Sequence, residues 1–221
     1  MRLEKEGERG HENSIRDRLP ELWQGIQLAT AVEPYIDIIE LGEEFIARYG
    51  HTAIREFKDL FPDKKILADI KIMDSGYKVG KPCLEAGADI ITVCARAKEK
   101  TISETIRACH ELGKECFVDL VAVPDYEPYV EMLNKLGPDY VCFHLSGDDS
   151  RDGQAKTTER LNEMFEEVKR LDFKAKKVLS GAIREENIEA VKSCNPYHVI
   201  IGRAIKESDN PAAVAKKFFE A

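Results

Sequence analysis

Seven short apolar runs recur at near-regular spacing along the chain: YIDIIEL (35–41), KILADIK (65–71), DIITVC (89–94), ECFVDLV (115–121), DYVCFH (139–144), KKVLSG (176–181) and YHVIIG (197–202). Between them lie segments such as Ile102, Ile106 and Cys109, or Leu161, Met164, Phe165, Val168 and Leu171, which follow the i, i+3, i+4, i+7 period of an amphipathic helix. Gly87, Gly113 and Gly137 each stand shortly before the next run, where a helix C-cap is expected. Apolar strands separated by helix-length segments suit a parallel sheet, because a parallel strand is reached by a crossover connection and not by a tight turn. The repeat therefore predicts an α/β fold, a (β/α)8 TIM barrel, in which seven strands are plain and the first is atypical or degraded.

That first strand has to come from residues 1–34, which offer two registers. In one, Leu19, Leu22, Trp23, Ile26 and Ala29 form a helix stripe opened by Pro20, and the strand is the polar run ENSIRD ending at Asp17. In the other, GIQLATA (25–31) is the strand. The first is favoured, since the few residues left after Ala31 cannot hold a crossover helix, which needs about ten or more. An open seven-stranded barrel is the third reading. Residues 1–16 are then a polar N-terminal segment, open to disorder, and residues 17–221 a single barrel domain; a chain of this length with 43% hydrophobic residues can fill one core.

A net charge of −8 and a pI near 5.3 argue against nucleic acid or an anionic membrane as a partner, because phosphate backbones require clustered Lys and Arg. No apolar run is long enough to cross a bilayer, and the charged start MRLEKEGERGHENS is unlike a signal peptide, so a cytoplasmic protein is expected. The cysteines at 83, 94, 109, 116, 142 and 194 contain no CxxC pair, and three lie inside apolar runs; they read as reduced core residues.

Charge enters where the strands end. In ADIKIMDSG (68–76), Asp69 and Lys71 share a strand face with Leu67, and if Ile66, Ala68 and Ile70 face the helices, both charges point into the barrel near its top. An unpaired charge there would cost several kcal/mol, so each requires the other. Asp74 lies within reach of the same lysine if the loop curls inward, and two carboxylates would hold Lys71 protonated, as a cation or proton donor rather than a Schiff-base nucleophile. Glu40 closes the run before it and His144 closes DYVCFH. Glu40 and Asp69 on neighbouring strands can share one hard divalent ion, which suits magnesium. Ser180-Gly181 and Gly202-Arg203 end the last two runs, where glycine backbone and an arginine fork suit a phosphate. The polar stretch SGDDSRDGQAKT, between His144 and a helix expected near Thr158, falls at the end of the strands where barrel enzymes keep their chemistry.

These motifs together resemble the orotidine 5'-phosphate decarboxylase superfamily, and within it the 3-hexulose-6-phosphate synthase and 3-keto-L-gulonate-6-phosphate decarboxylase family. EPYIDIIELG, FPDKKILADIKIMDSG, EAGADIITV, VDLVAV, the FH of VCFHLSGDD, and IIGRAI carry the likeness, over about residues 33–221. The resemblance implies a magnesium-dependent carbon-carbon lyase acting on a sugar phosphate through an enediolate. Glu40 and Asp69 would bind the metal, Lys71 would stabilise the enediolate, His144 would move protons, and Asp74 would be lent across a homodimer. The decarboxylase sister usually carries H-R-S-R after the sixth strand, whereas this chain reads His144-Leu145-Ser146-Gly147, so the synthase is favoured: an aldolase joining formaldehyde to D-ribulose 5-phosphate. Two departures stand against the family pattern. Only Asp17 can match the aspartate of its first strand, and a second glycine after Gly181 is replaced by Ala182. The remaining readings are the decarboxylase and, from another class, a non-catalytic sugar-phosphate-binding descendant.

Overall fold

Each apolar run is a strand because its branched side chains can be buried on both faces at once, against helices outside and against each other inside. The computed structural model describes residues 22–151 and 153–220. It contains β1 (Ile38–Leu41), β2 (Lys65–Ile72), β3 (Ile90–Cys94), β4 (Glu115–Asp119), β5 (Tyr140–His144), β6 (Lys176–Ser180) and β7 (His198–Ile200). All neighbours pair in parallel in the order β1-β2-β3-β4-β5-β6-β7. Helices α1 (Leu22–Val32), α2 (Glu43–Leu60), α3 (Gly76–Glu85), α4 (Glu99–Glu111), α5 (Glu127–Leu136), α6 (Gln154–Arg170), α7 (Ile188–Ser193), α8 (Arg203–Lys206) and α9 (Pro211–Glu220) alternate with the strands or close the chain.

The two strand faces separate into two cores. Ile66, Ala68, Ile91, Val93, Val118, Val141, Phe143 and Leu179 pack against the helices, together with Ile54, Phe57, Ile102 and Val168. Leu67, Ile90, Phe117, Tyr140, Cys142 and Val178 form the inner core of the curled sheet, with Ile38 and Ile200 against it. A fully buried aliphatic side chain of this kind contributes about 1.5–3 kcal/mol, so the alternation itself fixes which residues face inward. At the N-terminal ends of the strands, Lys65 pairs with Glu115, which also accepts a hydrogen bond from the Tyr140 hydroxyl at 3.0 Å.

GIQLATA is not a strand: residues 25–31 lie inside α1, as the helix stripe requires, while ENSIRD and Asp17 lie outside the described residues. The helix after the polar loop begins at Gln154 rather than near Thr158, because the loop residues Asp149–Arg151 form a separate 3-10 turn tied down by Ser146, whose hydroxyl donates to Asp149 at 2.7 Å. The six cysteines are free and buried, as expected of core residues. No helix among the described residues is long and apolar enough to cross a membrane.

Helices α3 and α4 meet through Gly76. A β-carbon there would lie 2.2 Å from the Thr101 carbonyl oxygen and 2.4 Å from Thr105 Oγ1. Gly76→Ala is expected to cost about 3 kcal/mol, and so to lower the melting temperature by roughly 6–12 °C in a chain of this size; thermal unfolding followed by circular dichroism measures it.

Candidate active site

One position further along the inward face of β1 to β6, the inner core changes from apolar to polar. Leu67 is followed on that face by Asp69, Ile90 by Thr92, Phe117 by Asp119, Cys142 by His144 and Val178 by Ser180, as Ile38 is by Glu40. The parallel registers stagger these positions from strand to strand: Glu40 lies opposite Leu67, Thr92 opposite Phe117 and Asp119 opposite Cys142, while Ser180 stands level with the polar position before it, His144. A polar ring closes the top of an apolar plug.

Lys71 reaches the ring through a distortion of its strand. Between Ala68↔Ile91 and Ile72↔Val93 the register slips, so β2 spends four residues against two of β3. Lys71 sits in this bulge with φ 41, a left-handed backbone that costs a non-glycine residue about 1–2 kcal/mol. Thr92 holds it there: its hydroxyl accepts from the Lys71 backbone N–H at 2.8 Å and donates to Asp69 Oδ1 at 2.8 Å. The Lys71 ammonium hydrogen-bonds Asp69, lies 2.7 Å from Glu43 Oε2 and 3.8 Å from Asp119 Oδ2.

Asp119 links this lysine to His144. It is only 2% exposed, its Oδ1 accepts from the Val121 N–H at 2.9 Å, and its Oδ2 lies 2.9 Å from His144 Nδ1. Burial alone would lower the His144 pKa, but the hydrogen bond and charge of Asp119 overcome it and raise it. Burial likewise opposes the charge on Lys71, and Asp69 with Glu43 outweighs it, so the ammonium is held protonated. Burial pushes the Asp69 carboxyl upward against the pull of Lys71 and Thr92. Glu40 faces the barrel mouth with its side chain exposed to solvent, yet many protein groups stand around its carboxyl. The desolvation they impose, then the charge of Asp69, pushes that carboxyl to about 7.

The structure thus brings Asp69, Lys71 and His144 together, with Glu40 in the same electrostatic group and Ser180 opposite His144. Asp74 is not among the carboxylates on Lys71: it is exposed and takes a hydrogen bond from Ser75 at 3.3 Å. The loop does not curl inward within the chain, and Glu43 and Asp119 stand where that reading put Asp74. Neither was singled out from the sequence. Asp119 carries the same signal as Asp69, a carboxylate on the inward face of an apolar strand, while Glu43 shows none beyond its place in the first turn of α2.

Beyond β6, Gly181 has φ 91 and Ala182 φ 52. Ala182 therefore keeps a backbone suited to glycine, at a cost of about 1 kcal/mol, and the loop's shape accommodates the replacement. Gly181 admits no side chain, since a β-carbon would lie 2.0 Å from the Leu145 carbonyl oxygen. Gly202 precedes α8, and the Arg203 guanidinium donates to Ser150 Oγ in the polar loop after β5. Among the described residues Asp119, Cys142 and His144 form a compact group of metal-type donors, all within 4.8 Å; burial holds the Cys142 thiol far above its usual pKa, so that thiol stays protonated. A cavity of about 370 Å3 lined by Phe173, Lys177, Cys194 and Tyr197 lies at the opposite end of the strands, away from the ring.

Fold and site together define an α/β barrel with a buried lysine–carboxylate–histidine ring at the C-terminal ends of its strands. The chain belongs to the Orotidine 5'-phosphate decarboxylase / HUMPS family, whose model matches residues 19–218. It is 35% identical to a 3-hexulose-6-phosphate synthase of Bacillus subtilis over 88% of this chain and 90% of that one. Among solved structures it is similar to a 3-hexulose-6-phosphate synthase from Salmonella typhimurium, with a TM-score of 0.83, 33% identity and coverage of 90% and 92%. It is also similar to a 3-keto-L-gulonate-6-phosphate decarboxylase from Vibrio cholerae, with a TM-score of 0.74, 25% identity and coverage of 90% and 92%.

The Asp119–His144 contact yields a pH test. In an NMR titration His144 is expected to titrate above the free-histidine value of about 6.5, and Asp119→Asn to bring it below that value by leaving burial unopposed. A His144 resonance that Asp119→Asn leaves in place would contradict the assignment.

Proposed function

We propose that the chain is a 3-hexulose-6-phosphate synthase-like aldolase, a carbon-carbon lyase that joins formaldehyde to D-ribulose 5-phosphate and reverses that reaction. The observation that carries this reading is Lys71, held charged at the mouth of the barrel beside Asp69 and one carboxylate away from His144. A proton leaves C1 of the sugar phosphate, the electron pair passes onto the C2 oxygen as an enediolate, and C1 then forms the new bond to the formaldehyde carbon, whose oxygen takes up a proton. Lys71 offsets the enediolate charge in a site shielded from bulk water, where a fixed cation is most effective. His144, its Nδ1 fixed by Asp119, presents its other ring nitrogen for proton movement.

Glu40 and Asp69 fit a divalent ion: the charge of Asp69 helps raise the Glu40 carboxyl to about 7, a repulsion that a cation between them would relieve, and two carboxylate oxygens with no thiol favour magnesium over softer metals. When bound, Mg2+ would polarise the sugar oxygens and offset part of the enediolate charge. Gly181, Ser180, Gly202 and Arg203 would take the phosphate, the glycines admitting it close to backbone N–H groups and Arg203 gripping it by its fork. Asp17, outside the described residues, is assigned to the substrate side of the same site. A homodimer gives Asp74 its role: it stands exposed next in sequence to Met73, which is 53% exposed, the setting of a residue offered to a second copy. A cytoplasmic location accords with a small-metabolite substrate and with six unpaired cysteines.

Incubation with D-ribulose 5-phosphate, formaldehyde and Mg2+ is expected to yield hexulose phosphate, and EDTA to abolish it. Glu40→Gln should remove the metal dependence together with turnover, and Lys71→Ala should lower the rate at least about a hundredfold, on the order of 3 kcal/mol. Turnover that persists in EDTA, or a near-normal rate for Lys71→Ala, would overturn the corresponding role; release of CO2 from 3-keto-L-gulonate 6-phosphate without aldolase activity would make the chain the decarboxylase.

A further inference from the structure

Lys71 has three N–H groups to place. Asp69 takes one. Asp119, inside the ring, is 3.8 Å away, beyond hydrogen-bond reach, so it attracts the ammonium without fixing it. The contact that completes the geometry comes from outside the ring: Glu43 Oε2 at 2.7 Å. Glu43 follows Gly42 directly and stands three residues after Glu40, so the turn from β1 into α2 delivers one carboxylate to the inner ring and another to the lysine. The backbone beneath Lys71 is already fixed by Thr92, and with its tip held on two sides the third N–H is left toward the interior.

We infer that Glu43 is a positioning residue for Lys71: it anchors the ammonium from the solvent side so that the remaining N–H is presented to the substrate oxygen. The inference rests on the aldolase reading for its kinetic test. The simpler role for a carboxylate in the first turn of a helix is to complement the helix dipole; that role predicts a change in stability and none in the lysine.

Two measurements separate the roles. In steady-state synthase assays Glu43→Ala is expected to lower kcat about tenfold with KM for D-ribulose 5-phosphate nearly unchanged. Glu43→Gln, which still accepts a hydrogen bond, should recover most of the loss. In a Lys71→Ala background the same Glu43→Ala change should cost nothing further, since the two residues act as one unit. Independently of turnover, the side-chain ammonium resonance of Lys71 in 15N-lysine-labelled protein, assigned by its loss in Lys71→Ala, should be sharp in the wild type and broadened in Glu43→Ala. A Glu43→Ala variant with unchanged kcat and an unchanged Lys71 resonance overturns the inference, as does an equal loss in the Lys71→Ala background. A wild type without synthase activity but with a resonance that depends on Glu43 would overturn the aldolase reading alone.

Discussion

A lysine ammonium brought to the inner face of an apolar strand must be surrounded by carboxylates, and the top of this barrel is arranged around that requirement. Asp69, Glu43 and Asp119 come from three different segments to meet Lys71. The strand gives up its regular register to deliver the side chain, and Thr92 supplies the hydroxyl that stabilises the resulting bulge. A buried charge cluster of this kind adds little to stability, because desolvation cancels most of what pairing contributes. Its worth lies in holding a cation where negative charge can develop.

The same inward face explains why the site is a ring rather than a pair. Below it, Leu67, Ile90, Phe117, Cys142 and Val178 exclude water from the barrel interior; above it, the next inward position of β1 to β6 carries a polar group set on that apolar floor. Such groups find their partners on adjacent strands, Asp69 with Thr92 and Asp119 with His144. The crowding of charged groups also shifts the titrations: desolvation by its neighbours and the charge of Asp69 raise Glu40 to about 7, and Asp119 overcomes the effect of burial on His144.

Much of this was legible from residue order. The seven apolar runs located all seven strands described, and alternation alone placed Asp69 and Lys71 inside. The helix stripe through Leu22, Ile26 and Ala29 correctly outweighed the strand-like look of GIQLATA, because chain length left no room for a crossover helix after it. What residue order hid were long-range pairings. Nothing local in IITVC marks Thr92 as the partner of a bulge, since the need for it arises only when β2 slips against β3. Glu43 looks like any helix-opening glutamate until the turn after β1 is seen to lie over Lys71. Ala182 stands where a glycine's freedom was expected, yet it adopts the left-handed backbone regardless, held by a loop whose Gly181 is pressed against Leu145.

The central claim is that this ring stabilises an enediolate of a sugar phosphate by means of Lys71. The most direct measurement is solvent exchange at C1 of D-ribulose 5-phosphate in D2O with Mg2+ and no aldehyde, followed by proton NMR. The account predicts that the wild-type protein exchanges one C1 proton stereospecifically and that Lys71→Ala, still folded, does not. Absence of exchange in the wild type, or equal exchange in the variant, would contradict it.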